Sequence, residues 1–327
     1  MTLEELETLI AGFEPARAVL TAVELDLFTA LDGKALGVPE IARAIGASER
    51  GVAALGEALV GLGLLERREG GALTASADAA RLLSRTQPTW RGGVALHAND
   101  LWRRLSPLTE CVRSGRPAPL PREPQEIMAA QLALHHGKVD LAEAIAAALP
   151  LGGKKRVLDV GAGPGTIVAA ILRRDPEATA TLLDRALALD VARKVLPKAW
   201  VKDGRVKLKT GDVLEDLLPA GFDLVLVSEL VSHLEPVEVR RVLQRAREAL
   251  VEGGTVAIRD RWADPGDAAA GLAGLERLVE APGGRLHARA EIEAALVEAG
   301  FETGAAWIEV AGDRAHPILI GAKPRTA

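Results

Sequence analysis

From Lys155 onward the sequence repeats one unit: a short, continuous apolar run, a turn, and then a segment of helical period. The runs are Arg156-Val157-Leu158-Asp159-Val160, Ala180-Thr181-Leu182-Leu183-Asp184, Val206-Lys207-Leu208, Phe222-Asp223-Leu224-Val225-Leu226-Val227 and Thr255-Val256-Ala257-Ile258. Strands this apolar need cover on both faces, so the alternation predicts a parallel sheet with helices on either side. A helix is expected over Ala290–Ala299. After it, Ala306–Val310 and Pro317–Gly321 flank a short polar connection around Gly312-Asp313. Two strands joined that closely must run antiparallel, so the sheet should end in a hairpin.

The first ninety residues follow a different plan. Pro39 near the start and Gly46 at the end bound a short helix. Ser48 caps a second, whose apolar stripe is Val52, Leu55, Leu59 and Leu62. Residues 65–74 read as two short strands around Gly70-Gly71. This is a winged-helix outline, preceded by an apolar N-terminal helix containing Phe13, Val19, Leu20, Leu25, Leu27, Phe28 and Leu31. Between Arg91 and Leu149 the pattern is helical, interrupted by Pro107, Pro117, Pro119, Pro121 and Pro124. The expected organisation is therefore a winged-helix dimerisation domain over 1–90, a helical connector over 91–150 and a ligand-binding domain over 151–327.

A winged helix raises the question of DNA. The net charge is −5, and residues 1–90 carry eight basic side chains against thirteen acidic ones. The second helix offers Glu49, Arg50 and Glu57 among Gly and apolar residues, a poor set for holding phosphates or reading bases. No nucleic acid is expected as a partner. The first turns carry Glu4, Glu5 and Glu7 rather than a basic leader, and no apolar run is long enough to span a bilayer, so a cytoplasmic protein without a membrane partner is expected. A single cysteine, Cys111, leaves neither a disulfide framework nor a cysteine zinc cluster, and no metal is expected.

The turn after the first strand reads Gly161-Ala162-Gly163-Pro164-Gly165. Glycines at a strand's carboxyl end let a ligand approach the backbone. The second strand ends in Asp184, 23 residues after Gly161, where a carboxylate can accept hydrogen bonds from both hydroxyls of a ribose. A dinucleotide loop needs a different glycine spacing, and Pro164 removes an amide donor, so a pyrophosphate fits poorly.

With the terminal hairpin, this loop resembles the class I S-adenosylmethionine-dependent methyltransferases, a Rossmann-like α/β fold. The stretches 158–165, Gly211-Asp212-Val213, Ser228-Glu229-Leu230-Val231 and 246–254 resemble the small-molecule O-methyltransferase family of plant phenolic and bacterial natural-product pathways. The resemblance implies a homodimer that binds S-adenosylmethionine and methylates a small aromatic or enolic molecule, with oxygen as the acceptor. It assigns Gly161 and Gly163 to the methionine portion, Asp184 to the ribose, Asp212 and Val213 to the adenine, and Asp159 to the loop or the cofactor's amino group. Ser228 belongs to the same cofactor set, and Trp102, Met128, Gln131, His135 and Trp262 are candidates for the substrate wall.

The catalytic stretch departs from the family. Its members carry a His general base after the fourth strand and a Glu that buttresses it, in a Gly-Gly-Arg-Glu-Arg-Thr motif. Here the first stretch is Val231-Ser232-His233-Leu234-Glu235-Pro236, and an ungapped match puts Ser232 at the base position and His233 one residue later. The second motif reads Gly283-Gly284-Arg285-Leu286-His287-Ala288, with Leu286 in place of the Glu. Two readings follow: a chain without the usual base, working on a substrate that ionises by itself, or a shifted loop in which His233 is the base. Non-methyl chemistry on the same cofactor, and a cofactor-sensing DNA regulator, are the competing functions.

Overall fold

The computed structural model describes residues 1–118, 123–152, 155–302 and 306–325, and these divide into two compact units, Met1–Asp100 and Leu101–Ala327. Pro119 and Pro121 of the expected bend lie outside the described residues.

In the first unit the helix Val38–Ile45 ends at Gly46, whose φ of +65° suits a residue without a Cβ. The next helix, Glu49–Gly61, starts where the Ser48 hydroxyl accepts the Gly51 amide at 3.1 Å. Strands β1 (Leu65–Arg67) and β2 (Leu73–Ala75) pair antiparallel, with Leu65 opposite Ala75, and form the wing. Two expectations need correction. Leu62 caps the second helix and is exposed, so the buried stripe is Val52 and Leu59 with Leu55 partly covered. The apolar N-terminal helix is three helices, Leu3–Ala11, Phe13–Glu24 and Leu27–Leu31. The second break occurs at Asp26, in the left-handed region at φ +56°, whose carboxylate accepts the Thr29 hydroxyl at 2.7 Å and Arg85 Nε at 3.1 Å. The break turns Leu27, Phe28 and Leu31 into the core with Ile41, Leu59 and Leu73.

The helices Gly92–Leu105 and Leu108–Ser114 are separated at Pro107, and the long helix Pro124–Ala148 begins with its proline. Seven strands follow: β3 (Arg156–Val160), β4 (Thr179–Asp184), β5 (Val206–Thr210), β6 (Phe222–Ser228), β7 (Leu250–Arg259), β8 (Ala306–Val310) and β9 (Asp313–Ala322). Their order in the sheet is β5-β4-β3-β6-β7-β9-β8. The first five are parallel, and β9 runs antiparallel to both β7 and β8, as the hairpin predicts. β7 is longer than its apolar run because it begins at Leu250, opposite Phe222, and continues past a register shift.

Period-two alternation sorts neighbours onto opposite faces. Leu158, Val225 and Val227 enter one core with Val242, Leu243 and Leu296; Val157, Leu224 and Leu226 enter the other with Val168, Ile171 and Leu189. Each such fully buried aliphatic side chain contributes about 1.5–3 kcal/mol. Because β3 lies between β4 and β6, the connections leave its carboxyl end in opposite directions and open a crevice there.

Candidate active site

The crevice is lined first by backbone. Gly161, Gly163 and Gly165 all have positive φ, at +72°, +54° and +73°. A Cβ on Gly161 would stand 3.3 Å from the Leu230 methyls, one on Gly163 would stand 3.2 Å from Gln131 Oε1, and one on Gly165 would fall 2.5 Å from Leu182 Cδ2. The first two glycines therefore keep a concave surface open, and the third lets the helix Thr166–Arg174 pack onto β4.

Two carboxylates stand at the loop's base, and one of them, Asp184, ties it down. Asp184 Oδ2 accepts the Gly163 amide at 2.7 Å and Oδ1 accepts the Arg185 amide at 2.6 Å, which leaves a lone pair on each oxygen for a further donor. Burial pushes its pKa up, against those two amides. Asp159, fully buried at the end of β3, is pushed up to about 8, first by desolvation and then by the Asp184 charge. Asp212 sits at the end of β5: its Oδ1 accepts the Leu214 amide at 2.8 Å, and its own amide donates to Asp216 at 2.7 Å. Its neighbour Val213 is buried in the core.

One face of the helix Pro124–Ala148 covers this loop. Gln131 faces Gly163, His135 Nδ1 lies 3.0 Å from the Thr166 hydroxyl, and Lys138 bonds Glu229 at the end of β6. Spacings of four and three place these side chains on one stripe. Burial, with the neighbouring His136 and Arg173, lowers His135 to about 4. Glu229 has φ +54°, a strained backbone for a residue with a side chain, and is held between Lys138 and Arg259. Burial pushes its carboxyl up, but the two cations outweigh this and hold it far below the usual range.

Comparisons with known proteins identify the family and show a shared fold. Residues 122–302 match the O-methyltransferase domain, and residues 8–86 match the O-methyltransferase dimerisation domain. The chain belongs to the S-adenosylmethionine-dependent O-methyltransferase family. It is 30% identical to the tetracenomycin polyketide synthesis 8-O-methyl transferase TcmO of Streptomyces glaucescens, over 97% of this chain and 96% of that one. It is 29% identical to the 3-hydroxy-5-methyl-1-naphthoate 3-O-methyltransferase of Streptomyces sahachiroi, over 97% and 94%. Human N-acetylserotonin methyltransferase, solved in complex with SAM, shares the fold at a TM-score of 0.86 and 20% identity, over 98% of this chain and 97% of that one.

In this O-methyltransferase the stretch after β6 is a single tight turn, Val231–His233. Ser232 is buried: its amide donates to Asp260 Oδ2 at 3.0 Å, its carbonyl accepts the Arg285 amide at 2.9 Å, and its hydroxyl has no hydrogen-bond partner among the described residues. His233 is partly exposed, and its Nε2 lies 3.0 Å from Arg277 Nη1. A guanidinium can only donate, so Nε2 accepts and the ring proton sits on Nδ1, 3.7 Å from Glu280 Oε2. Burial and Arg277 lower the His233 pKa, opposed by Glu280, Asp260 and Glu229.

Other sequence candidates lie in different settings. Trp262 is a core residue: its Nε1 donates to the Pro317 carbonyl at 3.2 Å and its ring meets Trp307 edge-on at 5.2 Å. Met128 is half-buried on the long helix, Trp102 is exposed on the helix Gly92–Leu105, and Ser228 pairs with Arg259 at the end of β6. Sequence reasoning passed over Lys138, Glu229, Arg277, Glu280 and His287. Lys138 could have been found from its helical spacing to His135. His287 follows Leu286 directly in the Gly-Gly-Arg-Leu-His-Ala stretch.

Proposed function

We propose that this enzyme transfers the methyl group of S-adenosylmethionine to an oxygen of a small aromatic or enolic metabolite, and that it works as a homodimer. The observation that carries the cofactor assignment is the apposition of Gly161, Gly163 and Asp184. The glycines leave a concave backbone surface that side chains would fill, and the carboxylate keeps acceptor capacity for a diol. Asp159, at the end of β3, would meet the amino group, Asp212 with Val213, after β5, would meet the adenine, and Ser228, at the end of β6, would complete the cofactor set.

Bound there, S-adenosylmethionine supplies a methyl group on a positively charged sulfur, already a strong electrophile. The chain's own contribution is position. Ser232, at the family's base position, is a weak base with a buried hydroxyl, and His233 has its only lone pair turned to Arg277. Neither group is arranged to take a proton. This favours an acceptor hydroxyl acidic enough to ionise near neutral pH, with holding and orientation supplying the rate enhancement. Gln131 and His135 line the loop side of the crevice, and Met128 lies one turn earlier on the same helix.

The test is mass spectrometry of the purified protein with isotopically labelled S-adenosylmethionine against phenols, enols and thiols. Label is expected on oxygen of an acidic phenol or enol. No transfer to any acceptor, together with S-adenosylhomocysteine affinity unaltered by Asp184→Ala, would overturn the reading.

A further inference from the structure

The chain leaves β6 at Glu229. Its amide donates to the Arg259 carbonyl at 2.7 Å, one step beyond Ser228, which pairs with Arg259 at the end of the ladder. The backbone then enters the left-handed region at φ +54°, a conformation that is free for glycine and costs a residue with a Cβ. This bend lays the Leu230 methyls against Gly161, where a Cβ would stand 3.3 Å from them, and leads into the turn Val231–His233. Glycine would make the same bend without that cost, so the carboxylate is what the position gains from glutamate.

That carboxylate bridges two elements. One oxygen bonds Arg259, which is 1% exposed and bonds Asp313 with its other terminal nitrogen; Asp313 in turn lies 2.6 Å from His316 Nδ1. A guanidinium so enclosed is a fixed anchor, because moving it would part buried opposite charges. The other oxygen bonds Lys138 on the helix Pro124–Ala148. The second half of that helix is set in the core by Ala142, Ile145 and Ala146, whereas the first half buries only Ala133. On the less anchored half, Gln131 lies against Gly163 and His135 lies 3.0 Å from the Thr166 hydroxyl. Lys138 shares their stripe, so the bond that holds it also sets how closely the helix covers the glycine loop.

We propose that Glu229 is the positioning residue for the methionine end of the cofactor: its backbone holds Leu230 on Gly161, and its carboxylate, through Lys138, holds the helix wall over Gly163. The inference rests on the methyltransferase reading, in which these two glycines face the methionine portion, and adds a residue that acts through its neighbours. The carboxylates assigned to the ribose and the adenine, Asp184 and Asp212, bond amides of their own loops and not this joint.

The alternative is a joint that only stabilises the fold. Two ligands separate the roles in calorimetry on the full chain: S-adenosylhomocysteine carries the whole methionine chain, and methylthioadenosine keeps the adenosine and the sulfur but ends in a methyl group. The wild-type protein should prefer S-adenosylhomocysteine. Glu229→Gly, which suits the backbone and deletes the carboxylate, should lower that preference about 10-fold, the scale of one charge-assisted bond, and so should Lys138→Met. Lys138→Arg keeps charge and reach and should retain most of it. The double variant should fall no further than Glu229→Gly alone, since the two residues act as a pair. Methylthioadenosine affinity should stay constant throughout. Denaturant unfolding checks that the variants fold, and Lys138, half-buried, keeps the test open where Glu229→Gly does not. A full preference in Glu229→Gly or in Lys138→Met overturns the proposal, and so do equal losses with both ligands, the outcome of a merely structural joint. A wild-type protein that binds both ligands equally also overturns it. Binding of neither ligand instead overturns the methyltransferase reading beneath it.

Discussion

His287 Nε2 lies 3.0 Å from the carbonyl oxygen of Val231, and the same N–H reaches the Leu234 carbonyl at 3.1 Å. The ring is buried, so the imidazole is an internal strut across the turn that holds Ser232 and His233. Removing it strips both carbonyls of a donor that water cannot easily replace. His287→Ala should lower unfolding free energy by about 1–3 kcal/mol and reduce kcat while leaving S-adenosylhomocysteine affinity unchanged. Denaturant unfolding and calorimetry check the two halves, and an unchanged kcat would show that the turn holds its shape without the ring.

Asp159 makes a statement about pH. Its folded-state pKa of about 8 stands well above the ordinary carboxylate range, so the folded chain binds a proton that the unfolded chain does not between about pH 4 and pH 8. Its contribution to stability is therefore complete at low pH, falls as pH rises through that window and is flat above it. A cationic amino group placed beside it should reverse the preference. Binding of S-adenosylmethionine at pH 7 should release up to about one proton, seen by calorimetry in buffers of different ionisation enthalpy, and Asp159→Asn should release none.

His233→Ala separates the two readings of the base. If the acceptor ionises unaided, the variant should lose far less than the roughly 10²–10⁴-fold typical of removing a proton-transfer group, and the rate should climb with pH as the acceptor hydroxyl ionises. A thousand-fold loss with normal cofactor affinity would restore His233 as the base. Ser232→His should help only alongside Leu286→Glu, because a new imidazole needs an orienting partner.

The helix Leu3–Ala11 buries none of its own residues, and Leu3, Leu9, Ile10 and Phe13 are each more than half exposed. Such an apolar face suits contact with a second copy of the chain. Leu9→Asp combined with Phe13→Asp should shift the protein to monomer in light scattering after size exclusion. A double variant that stays dimeric would place the interface elsewhere in the dimerisation domain.

The strands were legible because each is a continuous apolar run, and the loop because glycine at 161 and 163 serves a backbone need that no other residue meets. Asp184 was legible for a related reason: its distance from Gly161 is set by one strand-helix-strand unit, a local length. The pairing of Lys138 with Glu229 was not, since the two meet only after the chain has folded and nothing across the 91 positions that separate them encodes the meeting. The break at Asp26 was hidden too, because the apolar spacing continues across it and only the hydrogen bonds of the Asp26 carboxylate reveal the turn. His287 is the instructive miss. Its side chain, one position after Leu286, turns inward to brace the turn, a role that depends on packing the sequence does not show.

The position of β9 carries a consequence for biosynthesis. Among the described residues it follows every other strand, yet it lies between β7 and β8 in the sheet. On the ribosome, β7 is therefore made with a bare edge, and β8, made next, has no place in the sheet until residues 313–322 emerge. A stalled or shortened nascent chain would present that open edge to its neighbours on the polysome, where strand-to-strand pairing between chains begins. The parallel strands that carry the glycine loop are thus synthesised well before the element that seals the sheet's open edge.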